Sequence, residues 1–247
     1  MLGGKYWFHR IFQKEPAIKG YLPSTAICTP SSLNTYLKKY SMVYIKPTGG
    51  GRGIGVIKAW RKRDQYFFVI EKGEKSSCDS VQKLYKKLKL ASKKTHIVQQ
   101  GIKLAKLNGR PFDIRLMMMR NKDGKWSHIG MVAKVAGRKS IITNVARGKG
   151  YVTTVNEAMK KSLGLGRNKI ASLKKEMIQL AHDCNRVYSK HRYDWQIGYD
   201  IAVDKNSKVW LIEANPSNPA HFLFKKYKET YRKIRKLAKY HSKKKRK

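Results

Sequence analysis

Acidic side chains are scarce in this sequence: 15 Asp and Glu stand against 56 Lys and Arg, a formal charge of +41 over 247 residues. A surface so charged repels copies of itself at low salt and attracts polyanions. Charge alone does not choose between an enzyme working among acidic partners and a nucleic-acid binder. It does make each Asp or Glu in an apolar setting informative, because a buried acid needs a partner or a task. Cysteine is also rare. Cys28, Cys78 and Cys184 are far apart and form no CxxC pair, which argues against a zinc ribbon or a disulfide framework and suits a reducing interior. No stretch, the N-terminal MLGGKYWFHR included, approaches the ~20 apolar residues that cross a bilayer, so a soluble cytoplasmic protein is expected. Internal repeats are absent. The seven histidines (His9, His96, His128, His182, His191, His221 and His241) have no metal-like spacing and read as packed or solvated.

What is present reads as a folded protein: 41% of residues are hydrophobic and 11% aromatic, enough for a sizeable core. Apolar spacing predicts helices over 5–14, 31–40, 81–90 and 169–190, and from about 222 onward into a frayed basic tail. Runs of β-branched and aromatic residues predict strands at 42–47, 54–60, 65–71, 96–102, 112–119, 126–135, 196–203 and 208–213. Residues 137–153 read as a long loop. The pattern is α+β, a small lobe near 41–100 beside a larger one with a cleft between them. The expected divisions are an N-terminal helical part at 1–40, the small lobe at 41–100, a large lobe at 101–225 and a basic helix and tail at 226–247.

Two features carry chemistry. Thr48-Gly-Gly-Gly-Arg-Gly-Ile-Gly55 joins two predicted strands. It is either a hairpin connection or a mobile loop whose N–H groups close over phosphates. It is not a Walker A loop, since no Lys-Ser/Thr follows, and Val56 stands where GxGxxG needs its third glycine. Lys46, on the apolar strand just before it, is well placed as a phosphate ligand. Asp200 in QIGYDIAV and Glu213 in VWLIE flank a turn at 204–207, so the two acids reach one end of a hairpin. Asn215 follows two residues later. Three oxygen donors converging there suit Mg²⁺ held between carboxylates and nucleotide phosphates; the alternative is a surface hairpin with solvated acids.

Taken in order, VYIKPTGGGRGIGV, VQQGI, RPFDIRLMM, ITNVARGKG and GYDIAVDKNSKVWLIEANPSNPA resemble an ATP-grasp enzyme, most of all the YheC/YheD branch described as endospore coat-associated. The resemblance implies an ATP-grasp fold of two α+β lobes around a nucleotide cleft, lacking the α/β domain that usually precedes it. It implies ATP and Mg²⁺ (or Mn²⁺) as cofactors. By position, Lys46 and Lys5 correspond to phosphate-contacting lysines, and Gly49, Gly50, Gly51 and Gly53 to the lid. Gln99, Gln100 and Ile102 correspond to the adenine-binding hinge, and Asp113 falls near the ribose position. Asp200, Glu213 and Asn215 correspond to the metal ligands. Arg115, Lys134, Asn144 and Arg147 correspond to residues facing the transferred phosphate or acyl phosphate. The Arg-Gly-Gly usual in that loop is Arg147-Gly148-Lys149 here. The implied activity is an ADP-forming carboxylate–amine ligase working through an acyl phosphate. The rivals are a polyanion or nucleic-acid binder that lost catalysis, a structural spore-layer protein, and a kinase that phosphorylates an oxygen acceptor.

Overall fold

In the computed structural model, residues 4–51, 53–91, 95–138, 140–143, 145 and 149–244 are described. Elements are numbered in chain order. Two short helices, α1 (Lys5–Phe12) and α2 (Pro16–Lys19), come first. The chain divides into two compact units. The first comprises Met1–Arg10, Pro23–Lys103 and Ala136–Tyr151; the second comprises Ile11–Leu22, Leu104–Val135 and Val152–Lys247.

The first unit is built on six strands: β1 (Thr25–Ile27), β2 (Val43–Pro47), β3 (Ile57–Lys62), β4 (Gln65–Ile70), β5 (Ser76–Cys78) and β6 (His96–Gln100). They form one sheet in the order β1-β6-β2-β3-β4-β5. Helices α3 (Pro30–Lys39) and α4 (Val81–Lys87) cover one face. The start of α3 is written locally: Pro30 opens it, and Thr29 and Ser32 exchange hydrogen bonds, side chain to backbone, in both directions. Alternation along β2 then divides labour between the faces. Val43 and Ile45 join Leu33, Leu37, Leu84 and Val98 in the core, which leaves Tyr44 and Lys46 on the other face.

The second unit holds β7 (Lys106–Leu107), β8 (Arg110–Arg120), β9 (Trp126–Val135), β10 (Tyr151–Thr153), β11 (Gln196–Val203) and β12 (Val209–Asn215). The sheet order is β10-β9-β8-β11-β12, with β7 paired to β8. Helix α5 (Val155–Leu163) is capped by the Thr154 side chain and closed by Gly164 in the left-handed region. The long α6 (Arg167–Ser189) buries Ile170, Leu173, Met177, Leu180, Ala181 and Cys184 at helical spacing and packs on β8 and β9. Burying each large apolar side chain contributes roughly 1.5–3 kcal/mol. A 3-10 turn at His221–Phe224 leads into α7 (Lys228–Lys244).

Three differences from the sequence reading have physical reasons. Strand β1 lies between Pro23 and Pro30, where no strand was expected; three residues become a strand by pairing along β6, Ala26 against Val98. Helix α5 and strand β10 were not expected, although Thr154-Val-Asn-Glu157 carries an N-cap signal, Thr154 accepting from the Glu157 amide. Helix α7 is regular to Lys244, with Ile234 and His241 buried, so the start of the tail read as frayed is helix; residues 245–247 lie outside the described residues.

Candidate nucleotide and metal site

Two groups of expected site residues are assembled, one within each unit. In the first, Lys46 and Gln99 share the face of β2 and β6 that turns away from the core, Tyr44 standing directly opposite Gln99. The Lys46 ammonium donates to Gln99 Oε1 at 2.6 Å and lies 5.8 Å from the Tyr44 ring centre. Burial pushes the Tyr44 phenol up to about 12, so that neighbour is neutral and leaves the lysine's charge unquenched. Gln99 Nε2 donates to Thr25 Oγ1 at 3.0 Å, which fixes the amide orientation that Lys46 meets. The glycine loop follows β2. Gly50 and Gly53 have φ of +78° and +76°, and a Cβ on Gly53 would lie 2.8 Å from Ile142 Cδ1. Glycine is required there for both reasons. Gly49, Gly50 and Gly51 are exposed. Lys5 Nζ donates to the Gly50 carbonyl at 2.9 Å, bringing that lysine to the loop. At the end of β6, the Gln100 amide donates to Ser24 O at 2.8 Å, and buried Ile102 follows.

In the second unit, strand register writes a row of charge across one sheet face. Lys134 of β9 is opposite Asp113 of β8. Two residues on, Arg115 is opposite Asp200 of β11, and Asp200 is opposite Glu213 of β12. Asp113, Arg115, Lys134 and Asp200 are all between 5% and 7% exposed, so none can be left uncompensated. Arg115 Nε and Lys134 Nζ each lie 2.8 Å from Asp200 Oδ1. Arg115 Nη2 donates to Oδ2 at 3.2 Å, and Lys134 also lies 3.2 Å from Asp113. Burial alone would raise the Asp200 carboxyl, but the guanidinium and ammonium outweigh it and hold the group well below the usual carboxylate range. Burial likewise works against the Arg115 charge, and Asp200, Asp113 and Glu213 overcome it.

The remaining expected residues divide. Asn215 lies diagonal to Asp200, its Nδ2 at 3.5 Å from Oδ2. Asn144 and Arg147 lie outside the described residues. Two residues missed in the sequence shape the site. Gly198 of β11 lets the Arg115 side chain lie flat: a Cβ there would sit 2.7 Å from Pro219 Cβ and 3.0 Å from Arg115 Cδ. The Pro219 carbonyl accepts from Arg115 Nη1. A glycine inside the buried strand QIGYDIAV was the available signal, since such a glycine marks close approach. Nothing in the sequence marked a main-chain carbonyl.

The donors fit a small hard cation. Among the described residues no three His, Cys, Asp or Glu side chains form a metal-holding group. Asp200, Glu213 and Asn215 instead offer two carboxylates and an amide on paired strands, and Asp200 is ionised. Mg²⁺ commonly takes one or two protein carboxylates and completes its shell with phosphates and water. Arg115 and Lys134 already use part of the Asp200 oxygens, so a cation there would share that carboxylate with them.

Comparison with known proteins decides the family. The YheC/D-like ATP-grasp signature matches residues 1–243. The chain belongs to the YheC/D-like ATP-grasp family. Endospore coat-associated protein YheD of Bacillus subtilis (strain 168) is 29% identical over 230 residues, 89% of this chain and 49% of that protein. Endospore coat-associated protein YheC of the same organism is 22% identical over 215 residues, 82% of this chain and 56% of that protein. The chain thus spans about half the length of these curated relatives. The ATP-grasp fold is shared with the C-terminal domain of K. lactis Pby1, an ATP-grasp enzyme interacting with the mRNA decapping enzyme Dcp2. The TM-score is 0.51 at 12% identity, over 87% of this chain and 64% of that one. Among the described residues no helix is long and apolar enough to cross a membrane.

Proposed function

We propose that this chain is an ATP- and Mg²⁺-dependent carboxylate–amine ligase, with a peptide or amino acid as substrate and spore-associated like its relatives. The observation that carries this is the row Lys134–Asp113 and Arg115–Asp200–Glu213 on one sheet face, buried except at the half-buried Glu213. Such a row is costly to bury unless its charges are used.

Each residue then has a task. Lys46, oriented by Gln99, neutralises nucleotide phosphate oxygens, and Lys5 does so from beside the glycine loop. The loop, with few side chains, brings backbone N–H groups to the same oxygens and excludes water. Ile102 packs against the base. Asp200, Glu213 and Asn215 would hold the metal, which supplies charge neutralisation on the phosphates when bound. Arg115 and Lys134, pinned by Asp200, are fixed before reaction and need no reorganisation to meet developing negative charge. The carboxylate oxygen attacks the γ-phosphorus, the bond to the β-phosphate oxygen breaks, and ADP leaves. The amine then attacks the acyl carbon, the amide bond forms, and inorganic phosphate departs as the amine gives up a proton. Arg115 holds that phosphate's charge.

The test is ADP release with Mg²⁺ across a panel of carboxylic acids and amino acids, with mass spectrometry of the products. An amide product with stoichiometric ADP and phosphate is expected. A stable phosphorylated product would instead identify a kinase. No ADP across the panel, with no ATP bound in calorimetry, would refute the reading.

A further inference from the structure

Helix α7 has one face that ligase chemistry does not use. Its inner side is seated: Ile234 is fully buried, the His241 ring stacks on Trp195 at 5.2 Å, and His241 Nε2 lies 2.8 Å from the Arg120 carbonyl oxygen. A Cβ on Gly130 would come within 2.6 Å of Thr230 Cγ2, so the helix lies close upon β9. At 3.6 residues per turn, Thr230, Ile234 and His241 fall within an arc of about 40°. Lys228, Arg232, Lys236, Lys239 and Lys243 fall within about 80° on the opposite side, and all five are exposed. They form a straight stripe about 22 Å long.

Helix stability does not account for this stripe. Like charges four residues apart cost roughly 0.2–0.5 kcal/mol each, and Lys228 opposes the helix dipole in the first turn. Glu229 is the sole acid of the helix, and none of the five cations is ion-paired among the described residues. An external polyanion would reverse both penalties. The helix's apolar side is already occupied against β9, so it has nothing to insert into a bilayer. A ladder of cations without apolar anchors suits a uniformly charged polymer better than a folded acidic protein, whose interface would need a buried apolar centre. Beyond its Lys and Arg, which can meet guanine as well as phosphate, the stripe holds no Asn, Gln or aromatic side chain to read base edges.

We propose that the outer face of α7 docks the phosphate backbone of double-stranded nucleic acid without regard to sequence. The proposal stands apart from the ligase reading, since ATP turnover plays no part in it.

The experiment measures binding of the full chain to a labelled 20-base-pair DNA duplex against salt. Each neutralised phosphate contact adds about 0.9 to the slope of log K against log salt. The variant K228Q/R232Q/K236Q/K239Q/K243Q should lose about 4.5 of that slope. A control with five exposed lysines of the first unit replaced (K38Q/K62Q/K72Q/K86Q/K89Q) should lose less than about 1. Exchanging Lys and Arg along the stripe should leave binding within about twofold, because a backbone reader responds to charge. R232Q alone, the mildest change, should remove about 1 from the slope, which keeps the test valid if the fivefold variant folds poorly. Equal losses in the stripe and control variants would overturn the proposal. So would stripe-dependent binding to poly-glutamate with none to the duplex.

Discussion

Replacing Asp200 by Asn tests whether the charged row is a coupled unit. Asp200 Oδ1 sits 2.8 Å from both Arg115 Nε and Lys134 Nζ, and both cations are at least nine-tenths buried. Asn keeps the shape and removes the charge, leaving Lys134 with Asp113 at 3.2 Å and Arg115 without its bidentate partner. Removing one member of a buried ion pair costs roughly 3–5 kcal/mol. For a chain of this size each kcal/mol lowers Tm by about 2–4 °C, so a drop of about 6–20 °C is expected in a thermal melt at neutral pH. The pH dependence has a definite sign. The Asp200 carboxyl sits below its ordinary value in the folded chain, so its contribution is present above the unfolded value of ~3.9 and is lost as pH falls below it. Urea midpoints should therefore fall more steeply below about pH 4 for the parent than for D200N. Adding Arg115→Met to D200N should recover part of the loss, because the stranded guanidinium is then gone. A Tm for D200N within about 2 °C of the parent, with an unchanged acid limb, would show that the row is not coupled.

Other outcomes follow from single contacts. Gly198→Ala places a methyl against Pro219 and Arg115 and should cost about 1–3 kcal/mol in urea melts; ADP release should fall with it. Lys46→Met removes a charged donor from a half-buried position and should weaken ATP binding by about 10–100-fold, as a charged hydrogen bond predicts, with calorimetry as the readout and Tm nearly unchanged. Glu213→Ala should lower Mg²⁺-dependent turnover by roughly 10²-fold or more, and turnover equal to the parent would remove Glu213 from the metal set. Gly53→Val, forced into φ +76° against Ile142, should make the loop more sensitive to limited proteolysis.

The sequence was most legible where a residue's local surroundings settle its conformation. The 3.6-residue spacing of Leu173, Met177, Leu180 and Cys184 is that of the long helix α6, and the alternation Val43, Tyr44, Ile45, Lys46 is that of β2. That Asp200 and Glu213 reach one end of a hairpin was legible from the turn at 204–207, but their direct pairing depends on a register shift between Asp200 and Ile201 that the turn does not encode. What was not legible depends on partners distant in sequence. Strand β1 exists through β6, some seventy residues on. The seat of Arg115 depends on Gly198 and on the Pro219 carbonyl, and a main-chain oxygen carries no side-chain signature. That Asp200 engages Arg115 and Lys134 follows from the order β9-β8-β11, which periodicity along one strand does not contain.

The same scarcity of acids that makes the chain so basic also separates its two kinds of electrostatics. The row holds Arg115 and Lys134 against Asp113, Asp200 and the half-buried Glu213, two positive charges and three negative, a formal local sum of −1 within a chain of +41. A low-dielectric setting magnifies that small excess relative to screened surface charge. That excess is what would draw a divalent cation to this face, despite the repulsion of the chain as a whole. Polyanions meet the opposite: exposed cations whose attraction weakens with salt. If both assignments hold, rising ionic strength should release duplex DNA from α7 while leaving Mg²⁺-dependent turnover much less affected. One salt titration, followed by duplex anisotropy and by ADP release, would show the two responses parting. Parallel decline of both signals would mean that a single surface field governs both, and the buried row would lose its distinct role.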